Sequence, residues 1–154
     1  MIEITQTPET LTLKHSHTLV TLEKNKNTVS IHDFSLDFPG EYEKSGVLAT
    51  VDEFEDKLCY HLLVDGKHVA LVLWDSFSLT ENFLEFLGDI DILVIVGTKQ
   101  SAKMIENIEA KMIVPFGEET EIFLNILGQH QEAVSSIKVK ELSGDTTEFV
   151  HLAE

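Results

Sequence analysis

Arginine is missing from this chain, cysteine and tryptophan occur once each, and no apolar run nears the roughly 18 to 20 residues a bilayer-spanning helix requires. Each absence removes a class of function. With 27 acidic residues against 11 lysines the formal net charge is −16. Such a surface repels phosphate backbones and anionic headgroups, because binding either relies on clustered Lys and Arg. Nucleic acid and membranes are therefore not expected as partners. A lone Cys59 cannot close an internal disulfide, and no CxxC or Cys/His spacing indicates structural zinc. It reads as a small buried hydrophobe on a strand. The opening stretch MIEITQTPET lacks the basic-then-apolar build of a signal peptide, so the expected location is cytoplasmic.

What is present is enough for a core: 154 residues, 43% of them hydrophobic, without an internal repeat or a low-complexity linker. Residues 1–154 are expected to form a single domain.

The first half reads as strands, because short β-branched and apolar runs alternate with turn residues. The expected strands are Ile2–Thr5, Leu11–Lys14, His17–Glu23, Thr28–His32, Val47–Phe54, Leu58–Val64 and Lys67–Trp74. Lys24-Asn25-Lys26-Asn27 and Asp65-Gly66 are the marked turns, the second being a favoured two-residue hairpin pair. After Trp74 apolar residues recur at three and four positions. A helix is expected over Leu79–Leu87, with Ser78-Leu79-Thr80-Glu81 in the form of a capping box. The continuous apolar run Asp91–Val96, a helix near Ser101–Glu109 and a strand at Met112–Pro115 form a strand-helix-strand crossover. A helix at Glu119–Leu127 and strands at Ile137–Leu142 and Thr147–Leu152 complete the expectation.

Three stretches together resemble the small Zn-dependent hydrolases of the metallo-β-lactamase superfamily. Lys14-His15-Ser16 leading to Ile31-His32-Asp33-Phe34 is similar to the family's opening Gly-His-Ser strand and its Asp-Pro-Phe. Pro39-Gly40-Glu41-Tyr42-Glu43, followed by Gly46-Val47, resembles the more specific PGEYE signature. From Asp65-Gly66 through Trp74-Asp75-Ser76 and Leu87-Gly88-Asp89-Ile90-Asp91 to Val114-Pro115, the chain resembles the family's Gly-Asp-Leu and its two following strands. The resemblance covers about residues 11 to 117. It implies an α/β fold, a shortened metallo-β-lactamase-like αββα sandwich with a strand-rich N-terminal half and a β/α C-terminal half.

The departures carry the functional expectation. In the family an HxHxDH segment between the Asp-Pro-Phe and the PGEYE supplies most of the metal ligands; here only Ser35-Leu36-Asp37-Phe38 lies between them. The histidine of the family's later strand falls at Gly117, and Asp75 is the one surviving counterpart of a ligand. A catalytic zinc needs about three protein ligands and an open position. No cofactor and no catalytic residue is therefore expected. His15, His17 and His32 are the candidates from which a site near Asp75 would be rebuilt.

The other constellations have bland readings. A two-residue loop at Asp65-Gly66 pairs Leu63 with His68 and makes His61 and His68 diagonal neighbours, with Asp75 on the other face. Asp52-Glu53-Phe54-Glu55-Asp56 lacks the spacing and glycine of a calcium loop and reads as a solvated hairpin. Gly97-Thr98 has no glycine-rich fingerprint, so a plain helix cap accounts for Thr98. The expected function is that of a degenerate, non-catalytic family member acting as a protein-interaction or scaffold module; a divergent metal-dependent hydrolase is the alternative. Loss of a segment is expected to close the vestigial site and to bare sheet edges or apolar surface, which a second copy or another protein would cover.

Overall fold

In the computed structural model, which describes residues 1–154, two β-sheets pack face to face. The first is an antiparallel meander of β1 (Ile2–Gln6), β2 (Thr10–His15), β3 (Thr18–Glu23), β4 (Thr28–Ile31) and β5 (Phe34–Ser35). A late strand, β12 (Ile137–Val139), adds to β1 at the far edge. Period-two alternation decides its two faces. Ile2, Ile4, Leu11, Leu13, Val20, Leu22, Val29 and Ile31 point inward and are buried. The outer face is polar. Thr5, Thr12, Thr21, Ser30 and Ser35 stand directly opposite one another across five successive strands, and the Thr5 and Thr12 hydroxyls are 2.8 Å apart.

The second sheet runs β6 (Gly40–Lys44), β7 (Val47–Phe54), β8 (Lys57–Val64), β9 (Lys67–Val72), β10 (Ile90–Val96), β11 (Ala110–Phe116) and β13 (Glu148–Phe149) from one edge to the other. β6 to β9 are joined by hairpins, whereas β9, β10, β11 and β13 are parallel. Parallel neighbours need crossovers, and the helices supply two of them. α1 (Glu81–Leu87) links β9 to β10, and α2 (Lys99–Met104) with a 3-10 turn at Ile105–Asn107 links β10 to β11; α3 (Thr120–Ile126) follows β11. Because this sheet is covered twice, its central strands are apolar on both faces. Val69, Leu71, Ile92 and Val94 enter the core between the sheets. Ala70, Val72, Leu93 and Ile95 face the helices, against Phe83, Leu87, Ala102 and Phe123. All the helices lie on this one outer face, so the first sheet carries no helical layer. No helix is long and apolar enough to cross a membrane.

The hairpin at Asp65-Gly66 has the expected register, Val64 with Lys67 and Leu63 with His68, and both turn residues have positive φ. Several expectations need correction. β9 ends at Val72 rather than Trp74, because Trp74 turns into an aromatic cluster with Phe77 and Phe83. α1 is capped by Thr80, whose hydroxyl accepts the Phe83 N–H at 3.2 Å, and not by Ser78. The Ser78 N–H instead donates to the Glu55 carboxylate at 2.9 Å. The strands at Gly40–Lys44 and Phe34–Ser35 were not anticipated, since their mostly exposed residues show little apolar alternation.

Cys59 lies on β8, fully buried, with its thiol donating to the Leu71 carbonyl at 3.5 Å. Burial pushes its pKa well above the ordinary thiol value, which leaves no thiolate to react. A disulfide reagent added to native protein is expected to leave Cys59 unmodified over the time in which urea-unfolded chain reacts completely; comparable rates would show that the β8 core opens.

Candidate functional site

In α/β sheets ligands bind beyond the carboxyl ends of parallel strands. Here that rim is formed by Asp75 after β9, Gly97-Thr98 after β10 and Gly117 after β11. Asp75 is half-buried, and its Oδ2 accepts a hydrogen bond from the Thr98 hydroxyl at 2.9 Å. Thr98 is the N-cap of α2: its Oγ1 accepts the Ser101 N–H at 3.1 Å, and Ser101 Oγ accepts the Thr98 N–H at 2.9 Å. Both partners of this reciprocal cap satisfy otherwise orphaned helix donors. The rim is also tight. A Cβ at Gly97 would lie 2.9 Å from the Pro115 Cβ and 3.3 Å from Phe123, so α3 rests directly on the strand ends.

The remaining ligand candidates lie elsewhere. His15 Nδ1 donates to the Met1 carbonyl at 2.8 Å, and its Nε2 is 3.6 Å from Asp65 Oδ1. Asp65 sits in the turn that precedes β9, whereas Asp75 follows that strand. At about 3.3 Å per residue, β9 holds the two ends roughly 20 Å apart. His17 occupies the same β2–β3 turn as His15 and is exposed. His32 closes the β4–β5 turn, where its N–H bonds the Leu19 carbonyl at 2.9 Å. The three imidazoles therefore gather at one end of the sandwich and Asp75 at the other.

Asp65 is an exposed electrostatic focus at that first end. A hydrogen bond from the N-terminal amine holds its carboxyl below the usual carboxylate range, with His15 and Lys67 adding to the effect.

A second polar group lies near the amino ends of β9 and β10. His61 Nδ1 faces the Phe86 carbonyl at 3.0 Å, and His61 Nε2 faces His68 Nδ1 at 2.9 Å. A carbonyl can only accept, so His61 Nδ1 carries a proton, and in the neutral ring its Nε2 accepts from His68 Nδ1–H. The His68 backbone N–H donates to Asp91 Oδ2 at 2.8 Å, and Asp91 Oδ1 pairs with Lys111 at 3.2 Å. The group borders a groove of about 850 Å³. Two imidazoles bonded to each other cannot turn those same nitrogens to a cation. Asp75 does not join them, since His68 opens β9 and Asp75 lies past its end.

The zinc implied by the resemblance requires three converging ligands. Nowhere in the chain do three or more His, Cys, Asp or Glu side chains stand where they could hold a metal ion. At the rim Asp75 has a hydroxyl donor for company, and the neighbouring Trp74 Nε1 is buried without an acceptor. One carboxylate already engaged by a hydroxyl falls short of three converging ligands, so the rim does not fit a zinc centre.

The PGEYE-like segment builds a sheet edge. Gly40 to Glu43 lie in β6, the Tyr42 hydroxyl donates to the Phe38 carbonyl at 2.6 Å, and the Tyr42 ring packs 5.8 Å from Phe34. Pro39 ends the short link from β5.

Among solved structures the chain is similar to a Thermotoga maritima protein described as an inferred Zn-dependent hydrolase of the metallo-β-lactamase superfamily. The TM-score is 0.75 over 99% of each chain, at 18% identity. The fold is the metallo-β-lactamase fold. No family model matches the sequence, and no curated protein does. The expected shortened metallo-β-lactamase architecture is thus present, with its outer helices confined to one sheet.

Sequence reasoning missed Asp91 as the partner of His68 and Lys111. The β9–β10 register, which aligns Ile92 with Val69 and so brings Asp91 level with His68, is a property of the fold that sequence spacing does not carry. It also missed Ser101 as the reciprocal half of the Thr98 cap, although Thr-x-x-Ser was in view.

Two outcomes are expected. Thr98→Ala should lower stability by about 1 kcal/mol in urea titration, with Thr98→Ser recovering most of it, because the loss is that of a cap. Asp65 has a folded-state pKa below its unfolded one, so its contribution is present above the unfolded value near about 4 and is lost as pH falls through the lowered value. Asp65→Asn should flatten the acid limb of stability against pH below about 4.

Proposed function

We propose that this chain is a non-catalytic protein of the metallo-β-lactamase fold that serves as a protein-interaction module. One observation carries the reading: the Asp75 carboxylate, the surviving counterpart of a metal ligand, is committed to the Thr98 hydroxyl at a helix cap. A lone carboxylate in that setting cannot hold a divalent ion strongly enough to acidify its water. The scaffold persists without the reaction because chemistry resides in the site and not in the fold.

A rebuilt hydrolase would need His15, His17 or His32 beside Asp75, and these are separated from it by the length of β9. Exposed surface supports interaction instead. Phe34, Phe38 and Leu48 are at least 40% exposed, and all lie on or beside the neighbouring edges β5 and β6. The surface charge disfavours nucleic acid and anionic lipid as the partner.

The test is metal content and turnover. Protein produced with supplemented zinc or manganese and then desalted should retain far less than one ion per chain, and should not hydrolyse phosphoester, ester or lactam substrates. Stoichiometric metal, or hydrolysis abolished by a chelator and restored by metal, would end the proposal.

A further inference from the structure

The edge strand β6 has the form of a docking site whose chemistry defines its occupant. Ser45 and Gly46, both at positive φ, make a two-residue turn between Lys44 and Val47. In such a hairpin the residues flanking the turn form a hydrogen-bonded pair, and such pairs alternate along the ladder. Lys44, Tyr42 and Gly40 therefore bond to β7. The N–H and C=O groups of Glu41 and Glu43 point away from the sheet, unpaired. Their side chains lie on the outer face, where Glu43 stands opposite Leu48, itself 50% exposed. Tyr42 lies on the inner face against Phe34, which is 40% exposed at the open side between the two sheets, and Phe38 beside it is 72% exposed.

A second copy is a poor occupant. Antiparallel pairing of two β6 strands through their free groups must set odd-numbered residues against odd-numbered ones. The registers available place Glu41 against Glu43, Glu41 against Glu41 or Glu43 against Glu43. Shifting further toward one end brings in Pro39, which has no N–H to donate. Like charges directly opposite are destabilising, and two chains of net charge −16 repel one another besides.

We infer that β6 binds an extended basic segment of another protein as an additional strand. The segment carries Lys or Arg opposite Glu41 and Glu43, with an apolar residue between them that reaches the Tyr42–Phe34 side. Main-chain bonds to Glu41 and Glu43 supply general affinity, and the alternating basic and apolar side chains supply selectivity. This deepens the interaction reading and rests on it.

The probe is a fluorescein-labelled peptide of alternating lysine and valine, compared with an alternating glutamate and valine peptide and with a lysine peptide N-methylated on its lysine amides. The lysine peptide is expected to bind and to slow hydrogen exchange at the Glu41 and Glu43 amides, leaving that of Tyr42 unchanged. Each control, and the double variant E41K/E43K at exposed positions, should weaken binding about tenfold or more; an unchanged unfolding midpoint verifies the variant's fold. Equal affinity for the double variant or for the N-methylated peptide overturns the inference, since the charge or the edge bonds would then be idle. So does absent protection at Glu41 and Glu43, or a concentration-dependent dimer that protects the same two amides. Metal content and turnover, measured on the same protein, separate failure of this site from failure of the non-catalytic reading.

Discussion

Burial of the β9–β10–β11 layer on both faces is the constraint from which the rest of this structure follows. Alternate residues of these strands enter two different cores, so Ile92 and Val94 hold the first sheet while Leu93 and Ile95 hold the helices. Truncating any of them to alanine costs about 2–5 kcal/mol, a large share of the 5–15 kcal/mol typical of whole domains. The polar contacts at the strand ends contribute only about 1 kcal/mol each. The fold therefore depends little on the polar groups at the rim, because the two are held by terms of different size.

At the rim the polar groups serve local structure. Asp75 accepts a hydrogen bond that locks a helix cap, and a methyl group at Gly97 would collide with Pro115 and crowd Phe123 of α3. Asp75 thus takes part in holding the cap of α2. The His61–His68–Asp91–Lys111 group reads the same way, with the imidazoles held by a carbonyl and by each other.

Much of this architecture was legible from residue pattern. The hairpin at Asp65-Gly66 and the strand Val47–Phe54 match their expected positions, because turn chemistry and period-two alternation are local properties. Thr98 was readable as a cap for the same reason. The strand Gly40–Lys44 was not, since an edge strand with exposed Glu41 and Glu43 lacks the apolar rhythm that marks a half-buried one. Ser78 against Thr80 as the cap of α1 could not be decided locally, because Glu55, on a distant hairpin, draws the Ser78 N–H away. The separation of His15, His17 and His32 from Asp75 depends on which end of a strand each turn occupies, and sequence spacing alone does not carry that.

The row of hydroxyls on the bare face of the first sheet has a consequence of its own. Because successive side chains alternate between faces, slipping β2 by one residue against its neighbours would drive Thr12 into the interior and push Leu11 and Leu13 into water. Alternation thereby forbids every slip of the meander by an odd number of residues. The uncovered face thus shares with the core the task of holding each strand to its side of the sheet.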